Sequence, residues 1–87
     1  MTVEGDYSEI ADAQLDALET GSDAGLYGAV LDACELILGY PERAQQRSSA
    51  VTTGSGIHLR LAVAGYPPYK VFWTADGPRV EAVFPHP

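Results

Sequence analysis

The sequence predicts an α+β domain, an N-terminal helical hairpin packed on a C-terminal antiparallel sheet of three to four strands. Two observations carry that expectation. Apolar residues recur three and four apart through residues 7–38, then switch to strict alternation from residue 57 onward. Between the two patterns lies a stretch rich in Gln, Ser, Thr and Gly, which reads as a connection. Eighty-seven residues suit a single domain spanning 1–87.

Residues 2–5 read either as a short edge strand or as an unstructured lead. The first helix is expected to begin near Asp6, with Glu9 at the capping-box spacing and Ser8 as a rival cap. Tyr7, Ile10, Ala11, Gln14, Leu15 and Leu18 then form one mostly apolar stripe, and Gly21 is a plausible stop. A second helix is capped by Ser22 or Asp23. Its stripe is Leu26, Tyr27, Val30, Leu31, Cys34, Ile37 and Leu38, ended by Gly39 and Pro41. The short Thr20–Asp23 link makes the two helices antiparallel neighbours. Their polar faces hold Asp12, Asp16, Glu19, Asp32 and Glu35.

Residues 42–56 read as a long loop with a short strand around Ala50–Thr52. Ile57, Leu59, Leu61 and Val63 alternate with His58, Arg60, Ala62 and Ala64, a half-buried strand. Gly65-Tyr66-Pro67-Pro68 connects it to a strand over Tyr69–Thr74, with Tyr69, Val71 and Trp73 opposite Lys70 and Phe72. Ala75-Asp76-Gly77-Pro78 is a turn. In the last strand Val80, Ala82 and Phe84 oppose Arg79, Glu81 and Val83.

Composition narrows the function classes. An apolar share of 46% argues against disorder. The single cysteine, Cys34, permits no intramolecular disulfide and no Cys-rich zinc site, and its place on the helical stripe makes it a buried thiol. No run approaches a membrane span, and the acidic start is no signal peptide, so a soluble cytoplasmic protein is expected. The net charge of −7 is uneven. Residues 1–42 hold ten acidic and no basic residues, while residues 43–87 hold five basic and two acidic. The overall sign opposes indiscriminate nucleic-acid binding, but the second half has the residues for a local basic surface. No Gly-rich phosphate loop, no Ser/His/Asp arrangement and no metal-ligand spacing is visible.

Three stretches carry a family resemblance. They are Leu-Asp-Ala-Cys-Glu-Leu-Ile-Leu-Gly-Tyr-Pro at 31–41, Ile-His-Leu-Arg-Leu-Ala-Val-Ala-Gly-Tyr at 57–66, and Tyr-Lys-Val-Phe-Trp-Thr-Ala-Asp-Gly-Pro-Arg-Val-Glu-Ala-Val-Phe-Pro-His at 69–86. Their order resembles the RelE/ParE family of bacterial type II toxins. The resemblance implies a toxin component held silent by a cognate antitoxin, acting on messenger RNA at the ribosome or on DNA gyrase, with no cofactor. The RNA-cleaving members need no metal: a 2′-hydroxyl attacks the adjacent phosphate, helped by proton transfer and by cations. By position, Lys70 matches the family's central-strand arginine, His86 lies near its C-terminal catalytic His, Tyr or Arg, and Arg60 is nearest its basic cluster. These three are the candidate catalytic residues. His58, Phe72, Arg43, Arg47 and Arg79 are candidates for holding substrate. Each has a plainer reading: a solvated strand face for His58 and Lys70, a frayed terminal imidazole for His86, packing beneath the 42–56 loop for Phe72. The alternative function is a noncatalytic protein-binding domain of the same fold, either a degenerate toxin or a gyrase-binding one.

Overall fold

The structure is a computed structural model that describes residues 6–54 and 56–87. Its elements are α1 (Glu9–Glu19), α2 (Ala24–Gly39), α3 (Pro41–Gln46), β1 (Ser48–Thr53), β2 (Gly56–Ala62), β3 (Tyr69–Thr74) and β4 (Arg79–Pro85). The strands form one antiparallel meander in the order β1-β2-β3-β4, with the helices packed on one face. This is the α+β arrangement that the change of period predicts, with four strands. The expected strand or lead at residues 2–5 lies outside the described residues. No helix among the described residues is long and apolar enough to cross a membrane.

Ser8, not Asp6, caps α1. Its Oγ accepts from the Ala11 backbone N–H at 3.0 Å and donates to the Glu81 carbonyl. Asp6 is used differently, its carbonyl accepting from Val80 N–H as Tyr7 makes a parallel bridge to Val80. Helix α1 buries Ala11 and part-buries Leu15 and Leu18, but Ile10 is 63% exposed. The stripe expected to include Ile10 is therefore narrower, because α1 lies along the outer side of β4 and turns only a thin face inward. Asp23 caps α2, accepting from Leu26 N–H. Gly25 faces the Tyr66 hydroxyl, where any Cβ would collide with it, so this glycine lets the β2–β3 connection close onto the start of α2.

The expected loop at 42–56 is instead mostly ordered. Pro41 does not stop the helical run but starts a new helix, since its missing N–H and fixed φ suit a first helical position. Glu42 to Gln46 are good helix formers. The next six residues pair with β2 from Ser48↔Leu61 to Thr53↔Gly56. β4 departs from simple alternation as well. A bulge between Phe72 and Trp73 pairs Phe72 with Ala82 but Trp73 with Val80, leaving Glu81 as the extra residue. Val80 and Val83 thus share the covered face, although two residues lie between them.

The core is Val30, Ala33, Cys34 and Ile37 of α2 against Leu61, Val71, Trp73, Val80 and Val83 of the sheet. Ile57, expected in the inward row, is 67% exposed because it pairs with Thr52 near the far end of β1. Trp73 is fully buried, and its indole N–H donates to Ser48 Oγ at 3.1 Å. Ser48 in turn donates to the Ala44 carbonyl at 2.7 Å. That relay satisfies the one polar atom of the largest core side chain and ties α3 and β1 to β3.

The two edges of the sheet differ. Along β4, Val80 N–H and C=O are paired with Asp6 O and Ser8 N, Glu81 C=O with Ser8 Oγ, and Val83 N–H with Gln14 Oε1. Segment 6–8 and α1 therefore supply most of a fifth strand's bonds. Among the described residues, β1 pairs with β2 alone.

Candidate functional site

Alternation puts Arg60 on β2, Lys70 and Phe72 on β3, and Ala82 and Phe84 on β4 on the open face. Arg60, Phe72 and Ala82 stand in one cross-strand row, and Ala62, Lys70 and Phe84 in the next. Chain pairing continues beyond β4. His86 N–H donates to the Pro68 carbonyl at 2.9 Å, which draws His86 back over the same face.

His86 is held through its backbone, its Nδ1 and its ring. Arg60 Nη1 meets its Nδ1 at 2.8 Å. Lys70 Nζ donates to its carbonyl at 3.0 Å and to the Pro68 carbonyl at 3.1 Å. Its ring sits edge-on to Phe72, with centroids 5.2 Å apart. A frayed imidazole is not what the chain builds here. The structure brings the three candidate catalytic residues together, from two strands and the segment after β4.

The chemistry of the contact defines the tautomer. A guanidinium has only donors, so His86 Nδ1 accepts, and in the neutral ring the proton stands on Nε2. The arrangement is therefore one of donors: Arg60, Lys70 and the Nε2–H of His86. Two of the three ammonium N–H groups of Lys70 are engaged by carbonyls, and one remains. Arg60 is itself steadied by Ser49, which accepts from its Nε at 3.3 Å. A cluster of donors on an open face can hold an anion such as phosphate.

The candidate substrate residues divide. Phe72 lies in the site but is 8% exposed. Phe84 lies against it, with its ring stacked at 4.7 Å and 14°. His58 shares the Arg60 face but pairs with Thr53 Oγ1 at 3.2 Å, towards the β1–β2 turn. Arg79 stands at the other end of β4 beside Glu81, 3.9 Å away. Arg43 lies over the Tyr40 ring, and Arg47, which ends α3, lines a groove between α2 and β2. Neither joins the cluster. Phe84 and Ser49 belong to it and have no motif of their own. Their only signal is cross-strand register, which one chain without its pairing does not display.

Cys34 is set apart from this chemistry. Burial pushes its thiol from 9.0 up to about 11, and burial followed by the neighbouring Cys34 raises Tyr7 from 10.0 to about 12. With its pKa raised by burial, this thiol is protonated and unreactive near neutrality. No group of three or more His, Cys, Asp or Glu among the described residues is placed to hold a metal ion. Comparison of the chain with family models, curated proteins and solved structures found no match.

Proposed function

We propose that this chain is a toxin-like component of a bacterial toxin–antitoxin pair, and that the open face of its sheet is a metal-independent endoribonuclease site acting on messenger RNA. The observation that carries the reading is the meeting of Arg60, Lys70 and His86 on one face. The family resemblance of the second half supports it further.

In this mechanism the RNA phosphate sits against Arg60 and the remaining N–H of Lys70, which offset the charge that grows on its oxygens. The adjacent 2′-hydroxyl oxygen attacks phosphorus and its proton leaves to water. The bond from phosphorus to the 5′-oxygen breaks, and that oxygen takes a proton from water while the Nε2–H of His86 donates a hydrogen bond to it. The products are a 2′,3′-cyclic phosphate and a 5′-hydroxyl. Arg60 has a second task, since its grip on Nδ1 keeps the donor N–H on the outward nitrogen.

The test is induction of the chain alone in a bacterial host, beside His86→Ala. Growth arrest by the wild type, with new RNA ends bearing cyclic phosphate, and neither effect from His86→Ala, is the expected result. Cleavage that persists unchanged in His86→Ala overturns the mechanism.

One feature favours the noncatalytic alternative. The groove between α2 and β2 has a volume of about 410 Å³ and is lined mainly by Ala29, Ala33, Leu36 and Leu61, an apolar surface suited to a protein segment. On that reading RNA is not cut: a gyrase-binding toxin arrests growth as wild type and as His86→Ala alike, and a degenerate toxin that binds only an antitoxin arrests growth in neither form.

A further inference from the structure

We propose that Phe84, backed by Phe72, is a stacking platform for one nucleobase beside the phosphate, and that it restricts the ligand to single-stranded RNA. This rests on the nucleic-acid reading of the Arg60–Lys70–His86 cluster and adds the part of the ligand that cluster does not address.

The two phenylalanines are unequal. Phe72 is buried, while Phe84 is 36% exposed. Their rings are nearly parallel, so one face of Phe84 is occupied by Phe72 and the stack has a single open end. Phe72 fixes the orientation of that end, because two stacked rings cannot swivel independently. The His86 ring lies edge-on to Phe84, with centroids 6.1 Å apart. The N–H donor and the platform are therefore neighbours. A groove of about 230 Å³ borders Phe84 on the α1 side, lined also by Gln14, Ala17, Leu18, Tyr69, Val83 and Pro85.

The chemistry this fits is an aromatic ring attached to a phosphate. Every nucleobase offers a π-face, so the platform binds without reading sequence. In a duplex both faces of each base are already stacked and the edges paired, so a base reaches Phe84 only from a single strand, a loop or a frayed end.

The experiment measures binding by fluorescence anisotropy, using a short labelled single-stranded RNA that is 2′-O-methylated so that it cannot be cut. It is compared with the same strand annealed to its complement and with an abasic version. Wild type is expected to prefer the single strand over both. Phe84→Ala and Phe84→Leu are each expected to bind the single strand about tenfold more weakly. The leucine variant retains an apolar contact with Phe72, and the abasic strand tests the platform with no substitution. Arg60→Gln is expected to weaken all three ligands alike. If both Phe84 variants bind as wild type does while Arg60→Gln loses binding, the platform is wrong and the phosphate site stands. If wild type binds none of the three ligands, the nucleic-acid reading falls and the platform with it.

Discussion

On the covered face of the sheet, Val71, Trp73 and Val80 are fully buried, and the one polar side-chain atom among them is satisfied by a relayed hydrogen bond. On the open face, Arg60 and Lys70 of the strands and His86, just after β4, are joined by directed polar contacts and stay partly in water. Both faces come from one alternating pattern, yet they are held by different physics. The covered face is stabilised by area removed from water, an effect with no preferred direction. The open face is held by contacts that depend on distance and angle and contribute little to stability. The fold and the proposed chemistry are therefore separable, and each can be damaged without the other.

The largest effect should come from the covered side. Trp73→Ala removes the largest buried ring and the donor to Ser48, and should cost about 3–5 kcal/mol in urea unfolding followed by circular dichroism. For a domain of this size that approaches its whole stability. A loss under about 1 kcal/mol would mean that Trp73 is not the centre of the packing.

Alkali offers a subtler way to strike the same side. The folded state holds the Cys34 thiol protonated up to about 11, against an ordinary 9.0. The stability this contributes is complete below about pH 9 and lost as pH rises through about 11, because the unfolded chain ionises first. The urea midpoint should fall over that window, and Cys34→Ala should flatten the first part of the fall, with Tyr7 taking over above its ordinary 10.0. An unchanged slope in Cys34→Ala would place the alkaline loss elsewhere.

The smallest stability change should come from the open face. Arg60→Gln breaks the contact that orients His86, yet should shift unfolding by less than about 1 kcal/mol. Its expected effect on RNA cleavage is a severe loss. A variant that lost both stability and cleavage would show that the two faces are coupled after all.

The legibility of the sequence follows the same division. Alternation made β2 and β3 readable, and with them the shared face of Arg60, Lys70 and Phe72, because every second residue there has one environment. It failed in β4, where Glu81 adds a residue on one side and shifts the phase, so Val80 and Val83 both turn inward. It failed again at Pro41, which ends a helix or starts one according to the direction the chain takes next. Ser48 was invisible as a structural residue, since its role depends on Trp73, 25 residues away. His86 drew attention through its place in a motif, but what holds it is long-range pairing with Pro68, Lys70 and Arg60. No local pattern encodes such contacts.

The unequal edges of the sheet have a consequence for self-association. Backbone donors and acceptors along β4 are already matched by residues 6–8 and Gln14, so a strand from another molecule finds few to pair with there. β1 offers six residues without Pro or charge, a ready template for pairing. Such a sheet is terminated on one side, like a zip with a single open end. Two copies joined edge to edge through β1 would each turn a blocked side outward, and growth would stop at the pair. Fibre formation by native strand addition needs two open ends per molecule, and α1 removes one of them.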